Sequence, residues 1–454
     1  MREEDPPEDL WGSSFWSALV SLRREVHQHP EPGFEEVRTQ GRIREVLLDR
    51  GIPKADIRTA AITGLIVDIR GSAMPRQEAE VKVRCIALRA DLDALTMTEA
   101  NTRLPYRSTR EGVAHMCGHD GHLTALVGLA ILLRQRADRL PSNLVVRLLF
   151  QPAEEGTPPG TAGFDFAKTG GGGALPMVWD ACLEGVDEVY GWHNWPAWPL
   201  GELRLASGPV MAHETEFAVL IRGRGGHGSQ PHVTKDPVVA GAAVVSALQT
   251  IVSRSLPSFT NAVVSVTMFH AGERLNVIPD EARLEGTIRD VDDAVFATIQ
   301  RRFREVVEGV CAGFGCSAEI DLRSCNPVLV NSVGPTEAVR RCASRLTDRL
   351  ALKTTAEGLP LLGGEDFAYY AKERPSCYFF LGTQEPLTGG LATFGGSEER
   401  QPRSNCICHG TAFDFNDNVL PSVVALMVRI VEDRLGVELY GQDEILGATM
   451  GGKQ

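Results

Sequence analysis

The pattern of apolar residues changes twice along this chain of 454 residues, and the change limits the folds available to it. Up to residue 207, short apolar runs alternate with stretches of helical periodicity, which is typical of α/β architecture. Residues 208–324 instead predict the order strand, helix, strand, strand, helix, strand, a ferredoxin-like series. After residue 325 the α/β pattern resumes. The sequence therefore predicts an α/β domain formed by residues 1–207 and 325–454, with a smaller α+β domain inserted into it.

Composition excludes several classes of partner. The net charge is −13, and the 46 Lys and Arg residues are dispersed without a basic stripe, which argues against nucleic acid and anionic membranes. The longest apolar stretches, such as residues 123–133, are too short to span a bilayer, and the acidic N-terminus does not resemble a secretory signal. The 10 cysteines are scattered, so most should be reduced thiols. We therefore expect a cytoplasmic protein that handles a small-molecule substrate.

One short segment, Met116–His122, contains a thiol and two imidazoles, those of Cys117, His119 and His122. These side chains bind borderline-soft divalent metals. On its own the pattern is equally consistent with a buried cysteine and a solvated histidine. His122 falls at the start of the helix predicted from residue 121, so it is expected to support a site rather than to bind metal.

Further candidate ligands lie at the ends of predicted strands. Glu154 and Glu155 follow one apolar strand, His193 follows the next, and His409 precedes a segment rich in aromatic and acidic residues. Each of them alone is compatible with an ordinary surface or packed residue. In open α/β sheets, however, sites form where loops leave the carboxyl ends of strands. Together with Cys117, these segments are predicted to converge on one crevice.

The adjacent glutamates suit a metal hydrolase. One carboxylate can coordinate a divalent ion, while the other stays unligated and takes a proton from a water that the metal activates. A thiolate, two or three imidazoles and a carboxylate are too many ligands for one catalytic metal with an open position. Two metals about 3.5–4 Å apart, bridged by the thiolate or a water, account for them better.

A set of segments, in the same order and with similar gaps, makes the chain resemble peptidase family M20, and within it the amidohydrolase branch. That branch includes bacterial N-acyl-amino-acid amidohydrolases, hippurate hydrolases and plant hydrolases of auxin–amino acid conjugates. The resemblance extends from Leu22 to Leu435. The matching segments are Leu22–Glu31, Ala87–Leu95, Met116–His122, Gln151–Gly156, Gly225–His232, Asn276–Asp280, Gly364–Tyr370 and Phe413–Asp417.

The resemblance implies a mixed-sheet, zinc-peptidase-like catalytic domain whose ferredoxin-like insert serves as a dimerisation or lid domain, and hence a homodimer. It implies two divalent metal ions per chain, for which zinc, manganese, cobalt and nickel are candidates. Glu154 is the implied general base. His227 and Asn276 of the insert are implied to bind the substrate carboxylate or the oxyanion, where a preorganised donor is needed. The implied metal ligands are Cys117, His119, Glu155, His193 and His409.

The expected reaction is hydrolysis of an N-acyl amino acid, of the N-acetyl, N-benzoyl or indoleacetyl type, to a carboxylate and a free amino acid. A dipeptidase or carboxypeptidase with the same dinuclear site is the alternative enzyme. A non-catalytic amide-binding relative is the alternative from another class, although the complete ligand set and Glu154 argue against it.

The chain departs from the family pattern in places. Arg89 stands where other branches have a metal-binding histidine, which agrees with the amidohydrolase branch. Asp91, two residues later, is expected either to orient a ligand or to form a structural salt bridge.

Two added loops, residues 157–175 and 393–408, lie next to implied ligands in the sequence and are expected to influence substrate preference. Cys406 and Cys408 fall in the second loop. An additional metal or redox function is conceivable for them, but the prediction is that they are unpaired thiols.

Overall fold

The structure, a computed structural model, divides into two compact units. Much of the two added loops, together with Cys406, lies outside the described residues. The structure describes residues 12–77, 81–156, 172–346, 352–384, 407–441 and 444. The first unit comprises Met1–Gly208, Val330–Leu359 and Tyr369–Gln454, and the second comprises Pro209–Leu329 and Pro360–Ala368.

Strands and helices alternate along the described chain. The strands are β1 (Ile57–Ala60), β2 (Gly64–Arg70), β3 (Cys85–Asp91), β4 (Val145–Gln151), β5 (Glu188–Pro199), β6 (Glu202–Arg204), β7 (Gly208–Met211), β8 (His213–Arg222), β9 (Gly226–His227), β10 (Ala262–Ala271), β11 (Val277–Ile278), β12 (Glu281–Asp290), β13 (Ser317–Asn326), β14 (Leu329–Asn331), β15 (Lys353–Thr355) and β16 (Ser376–Gln384). The helices are α1 (Ser13–Gln28), α2 (Val37–Asp49), α3 (His119–Gln135), α4 (Ala174–Trp179), α5 (Pro237–Thr250), α6 (Asp293–Gly313), α7 (Val333–Ser344), α8 (Ala368–Glu373) and α9 (Leu420–Leu435).

The first unit is built on an 8-stranded mixed sheet with the strand order β1-β2-β4-β3-β5-β16-β6-β15. The central strands β4, β3, β5 and β16 are parallel to one another, whereas the pairs β1–β2, β2–β4 and β16–β6 are antiparallel. Every residue of β3 is buried, as expected for a strand covered on both faces. The α/β fold predicted from the sequence is confirmed, and the carboxyl ends of β3, β4 and β5 meet at one edge of the sheet.

Helix α3 is held in place by burial. Its residues from His119 to Leu133 are all buried, and most of them are apolar. The backbone passes so close to α1 that a methyl group on Gly128 would lie 2.8 Å from the side chain of Leu19. Burying a leucine side chain stabilises the fold by about 1.5–3 kcal/mol, so a helix covered on all sides has little freedom to move. The start of α3 is therefore a rigid platform.

A buried charged cluster joins α1 to α3 and to the chain after residue 409; we call its members, Arg23, His27, Asp120, Asp414 and Asp417, the Arg23 cluster. The fully buried Arg23 guanidinium donates from Nε to Asp417 at 2.9 Å and from Nη1 to Asp120 at 3.3 Å, and Asp414 lies at 3.8 Å. Burial alone would lower the pKa of His27, but its 2.9 Å hydrogen bond with Asp120 helps to raise that pKa to about 9. The cluster therefore connects helix α1 and residues 414–417 to the start of α3.

The second unit contains a 4-stranded antiparallel sheet of order β10-β12-β8-β13. Along the chain its elements follow as β8-α5-β10-β12-α6-β13, so its connectivity is ferredoxin-like, as the sequence pattern predicts. Both helices begin at an aspartate whose side chain accepts backbone N–H groups: Asp236 caps α5 and Asp292 caps α6. The short strands β9 and β11 form a separate ribbon.

Helix α5 and the turn that extends it, Pro237–Ser255, are long and apolar enough to cross a membrane by length and composition, with a mean hydropathy of 1.4 over 19 residues. The prediction that every apolar stretch is too short was therefore wrong by that measure. In the structure Ala240, Val244 and Leu248 form the buried face of α5. Val238 and Val239 remain 38% and 50% exposed. One apolar face of the helix thus packs in the core of its unit, and a second apolar face is exposed.

Candidate metal centre

Three parallel strands bring candidate ligands to one edge of the large sheet. Asp93 follows β3, and Glu154 and Glu155 follow β4. His193 lies just beyond the last residue of β5 that pairs with β3. The sequence placed His193 after its strand, and this detail was wrong, because β5 continues to Pro199 while β16 pairs with it. The convergence itself follows from the parallel arrangement of the strands.

A tight turn before α3 presents Cys117 and His119. Between them Gly118 has a φ of 106°, a conformation that L side chains rarely adopt. A Cβ atom at this position would lie 2.2 Å from Oδ1 of Asn194, so only glycine fits. Because the chain reverses at Gly118, the thiol and the imidazole on either side of it reach the same cluster of donors.

Two groups of donor atoms share the Cys117 sulfur. The first contains Cys117, His119 and His193, the second contains Cys117, Glu155 and His409, and the donor atoms within each group lie within 4.8 Å of one another. The Cys117 sulfur is 3.3 Å from Nε2 of His193, and Nε2 of His409 is 2.9 Å from Oε1 of Glu155. The structure therefore brings together all five side chains that the resemblance implies as ligands, and Cys117 is common to both groups.

Backbone carbonyls orient two of the imidazoles. Nδ1 of His119 lies 3.0 Å from the Asp93 carbonyl oxygen, and Nδ1 of His193 lies 2.6 Å from that of Asn194. A carbonyl oxygen only accepts, so each Nδ1 carries a proton and each ring has Nε2 toward the donor cluster. Nε2 of His119 is buried and has no hydrogen-bond partner among the residues the structure describes. Such an orphaned atom costs about 1–3 kcal/mol, and a bound cation would satisfy it, so the residues fit a metal.

The pKa values of the two inner imidazoles, His119 and His193, are shifted in opposite directions. Burial alone would lower the pKa of His119, but Asp91 and Asp93 outweigh it and hold that pKa well above its usual value. Burial and the neighbouring His122 hold the pKa of His193 well below its usual value. His193 is therefore neutral, the form in which an imidazole binds metal.

In the second donor group, the pKa values of Glu155 and Cys117 are shifted in opposite directions. Burial would raise the pKa of Glu155, but the hydrogen bond from His409 holds it below its usual value, so this carboxylate is ionised. A hydrogen bond with Cys408 and burial raise the pKa of the Cys117 thiol well above its usual value. Binding of a cation to this sulfur must therefore displace a proton.

Glu154 lies beside the two donor groups that share the Cys117 sulfur and belongs to neither of them. Its Oε2 lies 3.9 Å from Nε2 of His119, and its side chain is 11% exposed. Ala153 before it has a φ of 51°, an uncommon conformation for alanine that costs about 1–2 kcal/mol. The loop is held on both sides of the glutamate, since the Ala153 N–H donates to Glu36 and the Glu155 N–H donates to Asp93. Both adjacent carboxylates lie 3.9 Å from Nε2 of His119.

Asp91 forms the salt bridge considered for it and also contacts His122. One of its oxygens accepts from Nη1 of Arg89 at 2.7 Å, a buried ion pair, and the other is 2.7 Å from Nδ1 of His122. His122 in turn contacts Oδ1 of Asn194 at 2.6 Å through Nε2. Asp91, His119 and His122 also form a three-donor group. Because the Arg89 guanidinium already pairs with Asp91, a second cation is disfavoured there, and His122 acts as a support.

Sequence reasoning did not identify three supporting residues: Asp93, Asn194 and Glu36. Asp93 could have been identified, because it lies directly beyond the carboxyl end of a predicted strand, where sites form in open α/β sheets. Asn194 and Glu36 carried no sequence signal. Glu36, for example, accepts a hydrogen bond from a residue 117 positions away.

His227 and Asn276 lie in the second unit, where the β9–β11 ribbon places them side by side. His227 pairs with Val277, and the Gly228 N–H donates to the Asn276 carbonyl at 2.9 Å. Nδ1 of His227 accepts from the Ser229 N–H at 3.2 Å, so the neutral ring carries its proton on Nε2. Both His227 and Asn276 are exposed within this unit.

Comparison with known proteins agrees with this architecture. Residues 87–393 match the model of Peptidase family M20/M25/M40. The chain belongs to peptidase family M20. N-acetylcysteine deacetylase of Bacillus subtilis is 37% identical over 371 residues, which cover 82% of this chain and 89% of the relative. Thermostable carboxypeptidase 1 of Saccharolobus solfataricus is 34% identical over 372 residues, covering 82% and 87%.

A solved structure is also similar. The dinuclear metal binding peptidase of family M20 from Bacillus subtilis has a TM-score of 0.71 and 31% sequence identity, covering 94% of this chain and 99% of that chain. The predictions of family and fold are therefore confirmed. This M20 member is a hydrolase that acts on amide bonds.

Proposed function

We propose that this M20 hydrolase cleaves N-acyl amino acids, of the N-acetyl, N-benzoyl or indoleacetyl type, to a carboxylate and a free amino acid. The observation that carries the proposal is the pair of donor groups sharing the Cys117 sulfur, with the Glu154 carboxylate beside them. The deacetylase relative, whose name gives an N-acetyl amino acid as its substrate, supports this substrate class.

The proposed cofactor is a pair of divalent ions, chosen from zinc, manganese, cobalt and nickel, because the mixed sulfur, nitrogen and oxygen donors suit each of these. One ion would be held by Cys117, His119 and His193, and the other by Cys117, Glu155 and His409. When bound, such ions polarise a carbonyl oxygen and make water more acidic. The protein supplies oriented imidazoles and an ionised carboxylate for them.

Glu154 is the proposed general base. It takes one proton from the attacking water as the new C–O bond forms at the amide carbon. It then gives that proton to the leaving nitrogen as the C–N bond breaks, so that a free amine departs. The strained turn at Ala153 keeps its carboxylate within reach of the donor groups while Glu155 is engaged by His409.

His227 and Asn276 are the proposed anchors for the substrate carboxylate or the oxyanion. The fixed tautomer of His227 supports this role, because Ser229 occupies Nδ1 and leaves the Nε2–H as an exposed donor. His227→Ala should lower kcat while leaving the metal content unchanged. Loss of metal from that variant would contradict the assignment.

Residues 208–324, which form most of the second unit, are the proposed dimerisation or lid domain, and the proposed assembly is a homodimer. The exposed apolar face of α5 supports this. So does β10, an edge strand on which Met268 and Phe269 are 44% and 39% exposed. The described cysteines form no disulfide with one another, which supports the proposed cytoplasmic location.

The alternative enzyme is a dipeptidase or carboxypeptidase with the same site, which the carboxypeptidase relative favours. A rate comparison on N-acetyl, N-benzoyl and indoleacetyl amino acids and on dipeptides, after reloading with each metal, separates the two. We expect the N-acyl amino acids to be hydrolysed faster. Faster cleavage of dipeptides would establish the alternative, and binding of amides without turnover would end the enzymatic proposal.

Matched variants make the assay specific. Glu154→Gln removes the base with little change in size, whereas Glu45→Gln makes the same change on a side chain that is 61% exposed in α2. Only the first variant should be inactive.

A further inference from the structure

A second thiol lies against Cys117. The Cys408 thiol donates to the Cys117 carbonyl oxygen at 3.5 Å, and the N–H of the next residue, His409, donates to the Met116 carbonyl at 2.7 Å. Two segments that are far apart in the sequence therefore run side by side. The Cys408 sulfur thus contacts the backbone of Cys117 itself, and a disulfide between the two residues would need Cα atoms about 4.4–6.8 Å apart.

Cys408 is placed to react with Cys117 rather than to bind metal. Among the described residues, the three-donor groups around Cys117 include His193 and His409 but never Cys408, although the Cys408 thiol contacts the backbone carbonyl of Cys117. Asn194 Nδ2 approaches the Cys408 sulfur at 3.9 Å. The sulfur of Cys408 therefore lies behind the shared ligand, away from the other donors.

The two thiols differ in access. Cys117 is buried with 7% of its surface exposed, whereas Cys408 is partly exposed beside His409, whose side chain is 54% exposed. An oxidant arriving from solvent therefore meets Cys408 first. Cys117 is then the nearest thiol that can attack the oxidised sulfur.

We propose that Cys117 and Cys408 are a modification site at which a peroxide forms a disulfide, and that this disulfide prevents metal binding. The inference rests on the proposed function insofar as Cys117 is the shared metal ligand. A disulfide sulfur is no longer a thiolate, so both donor groups would lose their common member at once.

The chemistry balances with hydrogen peroxide as the oxidant. The Cys408 sulfur attacks one peroxide oxygen, the O–O bond breaks, and a sulfenic acid and one water form. The Cys117 sulfur then attacks the Cys408 sulfur, the S–O bond breaks, and the leaving hydroxide takes the remaining thiol proton as a second water. Two thiols are oxidised to one disulfide while one peroxide is reduced to two waters, and a dithiol reductant reverses the change.

Peptide mapping by mass spectrometry tests the site directly. Protein stripped of metal and protein loaded with zinc are treated with hydrogen peroxide, alkylated and digested. The stripped protein should yield a peptide pair joined through Cys117 and Cys408, and its zinc binding should fall by about tenfold or more until dithiothreitol restores it. Zinc-loaded protein should yield the linked pair at least several-fold more slowly, because the metal occupies Cys117.

Variants complete the test. Cys408→Ser and Cys408→Ala should bind zinc and retain activity before peroxide treatment, and they should form no linked peptide. Cys316→Ser, which removes a thiol in the second unit, should behave as the natural chain does. The proposal is overturned if Cys117 pairs with another cysteine, or if zinc binding is lost equally in the natural chain and in Cys408→Ser.

The two proposals fail separately. A protein that hydrolyses its substrates when metal-loaded, but that forms no linked peptide when it is stripped of metal and treated with peroxide, overturns the modification site alone. A protein that forms the linked peptide and then releases zinc, yet hydrolyses no amide, overturns the proposed function and leaves the thiol pair standing.

Discussion

Gly118→Ala should destabilise the protein and weaken its metal binding. The backbone φ of 106° would cost an alanine about 1–2 kcal/mol. The new Cβ would also lie 2.2 Å from Asn194 Oδ1, which must move away from its 2.6 Å contact with His122. Losing that buried hydrogen bond costs about 1–3 kcal/mol. The expected total is therefore about 2–5 kcal/mol.

Gly112→Ala is the matched control. Gly112 also has a positive φ, 74°, but a Cβ there would meet nothing within 4 Å. Its expected cost is the backbone term alone, about 1–2 kcal/mol. The comparison of the two variants therefore isolates the contact with Asn194 from the strain of the left-handed backbone.

Guanidinium denaturation of the metal-free variants measures the loss of stability, and zinc titration against a chelator measures the loss of metal affinity. Since the Asn194 carbonyl orients His193, the zinc affinity of Gly118→Ala should fall by about 10–100-fold, and that of Gly112→Ala should not change. Equal denaturation midpoints and equal zinc affinities in the two variants would refute the reasoning.

Three further predictions follow from the buried charges and the proposed base. Arg23→Met should lower the free energy of unfolding, measured by guanidinium denaturation, by about 3–5 kcal/mol, because buried carboxylates lose their partner. Arg24→Met changes a side chain that is 44% exposed and should lower the same free energy by less than about 1 kcal/mol. His27, with its pKa raised to about 9, stabilises the fold fully below about pH 6.5 and progressively less as the pH rises through 9. The unfolding free energy of the metal-free protein should decline across that window, and His27→Gln should flatten the decline; parallel pH curves would contradict the assignment. Glu154→Gln should lose turnover at unchanged metal content by elemental analysis, and surviving activity would show that another group is the base.

Local patterns explain why much of the fold could be predicted. The order of strands and helices predicted for residues 208–324 corresponds to β8, α5, β10, β12, α6 and β13, because each pattern is set by neighbours along the chain. The ends of elements were harder. The extension of β5 to Pro199 depends on pairing with β16, a strand that lies nearly two hundred positions later and leaves no mark on the local sequence.

The candidate site likewise contains residues that could be predicted from the sequence and residues that could not. Its metal-binding side chains are chemically distinctive and could be predicted, in large part from the family resemblance. The residues that hold them, Asn194 and Glu36, are ordinary polar residues whose partners come from elsewhere in the chain. Their importance arises only when long-range folding removes them from water, where an unpaired polar group becomes costly.

The Arg23 cluster also has a consequence for the order of events during synthesis. Arg23 and Asp417 are 394 positions apart, so the guanidinium of the first helix has no complete set of partners until almost the whole chain has left the ribosome. The strands β8 to β13 of the second unit are finished by Asn326, so that sheet can form earlier. The segment that finally neutralises Arg23 is also the segment that carries His409. The folding of the first unit and the completion of the donor cluster are thus one late step. In a chain truncated before residue 407, the buried Arg23 guanidinium should lack its Asp417 partner, and the second donor group should lack His409.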